Sequence, residues 1–136
     1  MTVFYADSSA LVKLVRAEEE SAALRAYLAG ADLVSSELAL AEIPRAIRRA
    51  VAQDPTLPLE PLLERAAALI DTVALRPASH ELLAGAGALT EPALRALDAI
   101  HVASAIGLGP IDGFVTYDER QAAAARLAGL RTTAPA

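Results

Sequence analysis

The chain has 136 residues, a hydrophobic fraction of 54% and a net charge of −5. This length suits one domain whose core is built from Leu, Ala, Val and Ile, because Trp is absent and aromatic residues make up only 4%. The absence of Cys excludes disulfides and thiolate metal sites. The acidic balance disfavours a nucleic-acid partner overall, since phosphate contacts need cations, but it leaves room for a local basic patch.

No targeting or membrane segment is visible in the sequence. The N-terminus lacks the basic region of a signal peptide, and Asp7 interrupts its first apolar run. No apolar stretch reaches the roughly 18 residues that a membrane span needs. No repeat or low-complexity linker divides the chain. We therefore expect a single domain over residues 1–136, located in the cytoplasm.

Short β-prone runs alternate with helical patterns along the chain. Strands are predicted over residues 3–5, 32–35, 72–75, 113–116 and 130–132. Helices are predicted over residues 8–15, 18–28, 60–71, 79–83, 93–106 and 118–127, and a further helix capped by Ser35 or Ser36 reaches residue 51. Pro44 falls inside that further helix and should kink it. Strands alternating with helices predict a three-layer α/β/α domain with a four- or five-stranded parallel sheet.

Four acidic residues fall where such a sheet would bring them together. Asp7 ends the first strand, and Asp118 follows the fourth. Glu42 and Asp98 lie in strongly apolar helical segments. Ligand sites of open parallel sheets lie outside the carboxyl ends of the strands, so the four acids are candidates for one site.

Each acid also has a simpler interpretation. Asp7 and Asp118 are suitable helix caps. The other two have helical neighbours of opposite charge, since Glu42 is followed by Arg45, and Asp98 is preceded by Arg95 or faces solvent. His101, one turn after Asp98, is interpreted as a core or helix-surface histidine rather than a ligand.

Converging carboxylates favour a divalent cation. Buried charges without a partner are unfavourable, and neighbouring carboxylates raise one another's pKa. Mg²⁺ takes oxygen ligands from carboxylates, water and phosphate, and serves hydrolytic chemistry. Zinc is not expected, because the chain offers no Cys and only His80 and His101. No Ser-His-Asp arrangement with supporting motifs and no Walker-type phosphate loop occurs.

Four segments together resemble a known family. They are Asp-Ser-Ser-Ala-Leu-Val-Lys at residues 7–13, the Glu42 helix with its three following arginines, Leu-Asp-Ala-Ile-His-Val-Ala-Ser-Ala at 97–105, and Val-Thr-Tyr-Asp-Glu-Arg at 115–120. This pattern is similar to that of PIN domains, specifically toxins of the VapC type in type II toxin–antitoxin systems. The resemblance covers essentially the full chain. Pro44 departs from the usual helix and affects its expected local path.

The resemblance implies a metal-dependent endoribonuclease. It implies a Mg²⁺ or Mn²⁺ ion held by Asp7 and Asp98, with Glu42 and Asp118 completing the catalytic cluster and Glu119 as the alternative fourth acid. Thr116 is expected to position water or phosphate. Glu42 or Asp118 would orient or deprotonate the attacking water. The implied partners are an RNA substrate, a small VapB-type antitoxin protein and a second copy of the chain in a homodimer.

An acidic cleft repels RNA, so cations must lie beside it. Arg45, Arg48 and Arg49 are the candidates for substrate binding, with a solvated helix face or an antitoxin contact as alternatives. Two other functions are compatible with parts of the sequence. A phosphoacceptor receiver domain also uses acids and Mg²⁺, but it needs an acidic pair after the first strand and a late Lys, whereas the only Lys is Lys13. A catalytically silent PIN-like module that binds a protein would not need all four acids.

Overall fold

The structure is a computed structural model that describes all 136 residues, with five strands and seven helices. The strands are β1 (Val3–Ala6), β2 (Asp32–Ser36), β3 (Ala74–Arg76), β4 (Gly113–Val115) and β5 (Thr132–Thr133). The helices are α1 (Ser8–Val15), α2 (Ser21–Leu28), α3 (Ala39–Gln53), α4 (Leu59–Ile70), α5 (His80–Gly87), α6 (Ala96–Ile106) and α7 (Glu119–Leu127). None of these helices has both the length and the apolar character needed to cross a membrane.

The five strands form one parallel sheet in the order β3-β2-β1-β4-β5. β2 and β3 are added in turn on one side of β1, and β4 and β5 are then added on its other side. The strand order therefore reverses between β1 and β4, where Tyr5 pairs with Phe114. This architecture confirms the predicted α/β/α fold with a parallel sheet. A receiver domain has the flavodoxin-like order 2-1-3-4-5, so that alternative is wrong for this chain.

The side chains of β1 point alternately to the two faces of the sheet, and each face packs against its own layer of helices. Phe4 and Ala6 face one side of the sheet, where they pack with residues of α1 to α4, including Leu11, Leu24 and Ile47. Tyr5 faces the other side, with Val102 of α6 and with residues of α7. Because successive side chains of a strand point to opposite faces, this short strand anchors both layers.

Several predicted boundaries are wrong by a few residues. α2 begins at Ser21 rather than residue 18, because the backbone N–H of Glu18 donates to the Ser21 hydroxyl and the acids of this stretch pair with Lys13 and Arg16. α6 begins at Ala96 rather than residue 93, because the Glu91 carboxylate accepts from the Ala93 backbone in a separate turn.

The start of α3 also differs from the prediction. Neither serine caps it through a side chain: the Ser35 hydroxyl donates to the Ala6 carbonyl at 2.6 Å, and the Ser36 hydroxyl accepts from the Leu38 backbone. The helix nevertheless continues unbroken through Pro44. That proline is the sixth residue of α3, close enough to the N-terminus that few backbone bonds precede it.

Candidate active site

An open cleft of about 510 Å³ lies beyond the carboxyl ends of β1 and β4, at the point where the strand order reverses. Its lining includes all four acids that the sequence singled out, namely Asp7, Glu42, Asp98 and Asp118. They come from the ends of β1 and β4 and from α3 and α6. Such a switch point is where parallel α/β sheets bind ligands.

Asp7 lies at the bottom of the cleft with an exposed fraction of only 2%. Its Oδ1 accepts from the Ser9 hydroxyl at 2.6 Å and from the Ala10 backbone at 3.0 Å, so it also caps α1. Its Oδ2 accepts from the Thr116 hydroxyl at 2.5 Å. Burial raises the pKa of Asp7 above its ordinary value, and the hydrogen bonds from Ser9 and Thr116 oppose that rise. The capping and site interpretations of Asp7 are therefore compatible.

Thr116 connects two of the acids. It follows β4, is buried, and donates to Asp7 while its oxygen accepts from the Asp118 backbone N–H at 3.0 Å. The Ser9 hydroxyl meanwhile accepts from the Tyr117 backbone at 3.0 Å. Thr116 thus contacts an acid directly, and the positioning of water or phosphate that the family resemblance implies for it stays a prediction.

Glu42 does not form the predicted ion pair with Arg45. Its Oε1 accepts from the Ser8 hydroxyl at 2.7 Å and lies 2.7 Å from Nε2 of His101. Burial favours a higher pKa for Glu42, but the hydrogen bonds from His101 and Ser8, together with the charges of His101 and Arg49, hold its pKa below the ordinary value. The half-buried Glu42 is therefore ionised at neutral pH.

Asp98 and Asp118 reach the cleft from α6 and from the start of α7. Asp118 caps α7, since its Oδ1 accepts from the backbone of Arg120 and Gln121. Asp98 lies in the first turn of α6, and its carboxylate accepts no hydrogen bond within the chain. Burial, followed by the charges of Asp118 and then Glu42, raises the pKa of Asp98 above its ordinary value. This repulsion indicates that the acids share one electrostatic environment.

The basic residues are less concentrated than predicted. All three arginines are exposed, but only Arg49 lines the cleft, whereas Arg45 and Arg48 lie outside it. The other cleft cation is Lys13, whose ammonium pairs with Glu20 at 2.5 Å and lies 4.8 Å from the centre of the Tyr117 ring. Glu119, the alternative fourth acid, is exposed and also lies outside this cleft.

The acids do not form a complete set of metal ligands as they stand. No group of three His, Asp or Glu side chains has such an arrangement. The donor chemistry nevertheless fits a hard cation, because the cleft presents carboxylate oxygens, and neither the Asp98 carboxylate nor Oδ2 of Asp118 accepts a hydrogen bond from the chain. The raised pKa of Asp98 also favours a bound cation, because a nearby positive charge would offset the repulsion from Asp118 and Glu42.

Sequence reasoning missed the side chains that hold the acids in place. The hydroxyls of Ser8 and Ser9, which directly follow Asp7, contact Glu42 and Asp7. His101, interpreted from the sequence as a core or helix-surface histidine, is buried and contacts Glu42. Gln121 is buried as well, and its amide donates to the Asp98 carbonyl at 3.5 Å. A signal existed for His101 and Gln121, since a polar side chain inside an apolar helical segment needs a partner.

A parallel sheet with its acidic cleft at the β1–β4 switch point defines an α/β domain with a candidate hydrolytic site. The sequence matches the family model of the PIN domain over residues 4–127. The chain therefore belongs to the PIN-domain family, and its relatives place it in the VapC branch of that family.

Curated relatives match over nearly the full length of both chains. Ribonuclease VapC46 of Mycobacterium tuberculosis is 40% identical over 99% of this chain and 99% of its own. Ribonuclease VapC47 and ribonuclease VapC35 from the same species are 33% and 38% identical, each over 98% of this chain and 97% of their own.

Solved structures share the fold at low sequence identity. The crystal structure of Mycobacterium tuberculosis VapC20, a toxin that cleaves the sarcin-ricin loop, has a TM-score of 0.73 and 17% identity, covering 97% of this chain and 99% of the other. The VapBC2 complex of Rickettsia felis bound to a promoter DNA fragment has a TM-score of 0.70 and 12% identity, covering 99% and 100%.

Proposed function

We propose that this chain is a metal-dependent endoribonuclease toxin that hydrolyses RNA phosphodiester bonds and is neutralised by a VapB-type antitoxin. The observation that carries the proposal is that Asp7, Glu42, Asp98 and Asp118 line one cleft, although they are distant in sequence. The names of the full-length relatives supply the substrate class and the partner. The proposal treats residues 1–136 as one domain that acts as a homodimer.

Asp7 and Asp98 are the residues that would hold Mg²⁺ or Mn²⁺. Asp7 is fixed by three hydrogen bonds, whereas Asp98 accepts none, so one ligand is rigid and the other is free to adjust. The bound ion would act as a Lewis acid that polarises the scissile phosphate and activates water.

Glu42 and Asp118 would handle the proton of the attacking water. Oε1 of Glu42 is occupied by Ser8 and His101, which leaves Oε2 to accept a proton from a water in the cleft. The lowered pKa of Glu42 keeps it ionised and ready to accept at neutral pH. Oδ2 of Asp118, which accepts no hydrogen bond from the chain, is the second acceptor that could orient the same water.

Arg49 is the arginine best placed to attract the RNA backbone, because it lines the cleft. Arg45 and Arg48 extend the same basic helix into solvent, where they would contact more distant phosphates or the antitoxin. A cation beside an acidic cluster offsets the repulsion that the cluster exerts on phosphate.

Cleavage of RNA by purified protein tests this function. We expect wild-type protein to cleave a structured RNA in Mg²⁺ or Mn²⁺ and to lose that activity in EDTA. Asp98→Asn should be inactive, whereas Asp71→Asn, which changes an exposed acid at the end of α4, should retain full activity. New RNA 5′ ends mapped after induced expression would identify the target.

Two results would contradict the proposal. Activity of Asp98→Asn equal to wild type at saturating metal would remove the metal site from the mechanism. A wild-type protein that binds its antitoxin but neither cleaves RNA nor binds Mn²⁺ by calorimetry would instead be a catalytically silent PIN-like binding module.

A further inference from the structure

We propose that His101 is a positioning residue, supported by Tyr5, which fixes the carboxylate of Glu42 in the cleft. This inference rests on the proposed nuclease function and assigns a role to two buried side chains that the four acids alone leave unexplained. The structure contains a continuous polar chain from the Tyr5 hydroxyl through the His101 ring to Glu42.

The two links of this chain are short and well enclosed. The Tyr5 hydroxyl lies 2.7 Å from Nδ1 of His101, and Nε2 of His101 lies 2.7 Å from Oε1 of Glu42. Tyr5 and His101 have exposed fractions of 0% and 2%, whereas Glu42 is half-buried and reaches the cleft. These two contacts thus lead from the buried Tyr5 to an acid that lines the cleft.

The hydrogen-bond partners assign the direction of each link. An ionised carboxylate only accepts, so Nε2 of His101 carries the proton and donates it to Glu42. In the neutral imidazole, Nδ1 is then the acceptor, and the Tyr5 hydroxyl donates to it. A tyrosine that supports a histidine tautomer in this way orients the ring as an outer partner orients a catalytic or ligating histidine.

Aromatic contacts around Tyr5 restrict the buried end of this series of hydrogen bonds. The Tyr5 ring stacks on Phe114 of β4 with centroids 5.1 Å apart and meets the His101 ring edge-on at 5.9 Å. Tyr5 and Phe114 are register partners on β1 and β4, at the centre of the sheet. Aromatic contacts of this kind leave the Tyr5 hydroxyl little freedom to move.

A merely structural histidine does not account for this arrangement. Tyr5 alone supplies one partner, yet the second nitrogen is directed to a carboxylate in the cleft rather than to a core carbonyl. His101 also lies one turn after Asp98 on α6, while Glu42 lies on α3. The bond therefore sets the position of one acid relative to the helix that carries another, and catalysis is sensitive to such placement.

A double-mutant cycle distinguishes positioning from stability. We expect His101→Leu to lower kcat by roughly 10- to 100-fold with KM little changed, as outer-shell partners typically do. His101→Gln, which retains an N–H donor, should restore part of that loss. In a Glu42→Gln background, His101→Leu should cause almost no further loss, because the two residues act as one unit.

Tyr5→Phe provides a milder variant if His101→Leu does not fold. It removes one hydroxyl and should lower kcat by a smaller factor, about threefold to tenfold, without changing KM. Tyr27→Phe and His80→Leu are the matched controls, since both change exposed residues that do not line the cleft and should leave kcat unchanged.

A measurement without metal or substrate tests the same geometry. Nitrogen-15 NMR of the metal-free protein should show His101 protonated at Nε2 and unprotonated at Nδ1, with an exchange-protected Nε2 proton. A proton on Nδ1 with a bare Nε2 would overturn the inference, and so would additive losses in the cycle or normal kcat in both Tyr5→Phe and His101→Leu. If wild-type protein cleaves no RNA, the proposed function fails and the positioning role fails with it, whatever NMR shows.

Discussion

The hydroxyl of Thr116 donates to Oδ2 of Asp7 at 2.5 Å, across 109 positions of sequence. The two residues follow β4 and β1, which are neighbouring strands, so the bond joins the ends of the central pair of the sheet. The same threonine oxygen accepts from the Asp118 backbone. One buried hydroxyl therefore sets the relative positions of two of the acids.

Thr116→Val should destabilise the protein and impair cleavage. Valine keeps the branched shape but leaves Oδ2 of the buried Asp7 and the Asp118 backbone N–H each without a partner, at a cost of about 1–3 kcal/mol. Losing a donor to the ionised form should also raise the pKa of Asp7 further. Chemical denaturation in EDTA measures the first effect. Thr116→Ser keeps the hydroxyl, and equal destabilisation by the serine and valine variants would show that the bond contributes nothing.

Asp7→Asn should not destabilise the metal-free protein at neutral pH, although it should abolish cleavage. Asparagine is an equally good N-cap, and its amide can donate to Thr116 while its oxygen accepts from the Ala10 backbone. The substitution removes a buried charge whose pKa is raised from 3.8 by burial. A clear drop in the melting temperature of the variant in EDTA would make Asp7 a structural acid.

The difference in the free energy of unfolding between Asp7→Asn and wild type should change with pH in one direction. Below pH 3.8 Asp7 is protonated in both the folded and the unfolded state. As the pH rises toward the raised folded pKa, the unfolded state loses its proton first, so the free energy of unfolding of wild type falls. The advantage of Asp7→Asn should therefore grow with pH across this window and then level off.

Glu42→Gln should show the opposite pH dependence when its free energy of unfolding is measured in the same way. Its folded pKa lies below the ordinary 4.5, so its contribution to stability is present above 4.5 and is lost as the pH falls through the folded value. Glu42→Gln should consequently be less stable than wild type above pH 4.5, and this difference should disappear as the pH falls through the folded pKa of Glu42. The same pH trend in both variants would refute the assigned environments.

Divalent metal should stabilise the wild-type protein against unfolding. A ligand that binds only the folded state at 100 times its Kd adds about 2.7 kcal/mol. Mg²⁺ or Mn²⁺ should therefore raise the melting temperature, and Asp98→Asn should lose most of that increase because it removes a proposed ligand. The exposed Asp71→Asn serves as the control with a normal response. A metal response that survives in Asp98→Asn would place the ion elsewhere.

Arg49→Gln should raise KM for RNA, whereas Arg48→Gln should not. Arg49 lines the cleft, where it also helps to lower the pKa of Glu42, while Arg48 is exposed outside it. A single exposed ion pair is worth up to about 1 kcal/mol, so the change in KM should reach about fivefold at low salt. High salt should shrink the difference. Equal effects of both substitutions would mean that the whole helix face contacts RNA.

Periodicity and strand-end placement were enough to predict much of this architecture. α1 was predicted with its observed bounds, and β4 and α7 were placed within one residue. The starts of α2 and α6 were missed because side chains such as Glu18 and Glu91 bond in turns before the helix begins. Such competition between local hydrogen bonds and a helical pattern is not visible in the apolar spacing.

The sequence by itself determined the α/β/α class, the acids at the strand ends and the family pattern, because strand alternation and acid placement are local properties of the chain. Only the tertiary structure decided which partner each acid has. Glu42 contacts His101, 59 positions away, instead of the nearby Arg45, and Arg49 rather than Arg45 or Arg48 borders the cleft. These choices depend on how α3 and α6 are rotated as they pack against the sheet, and that rotation is set by the combined shape of the whole core.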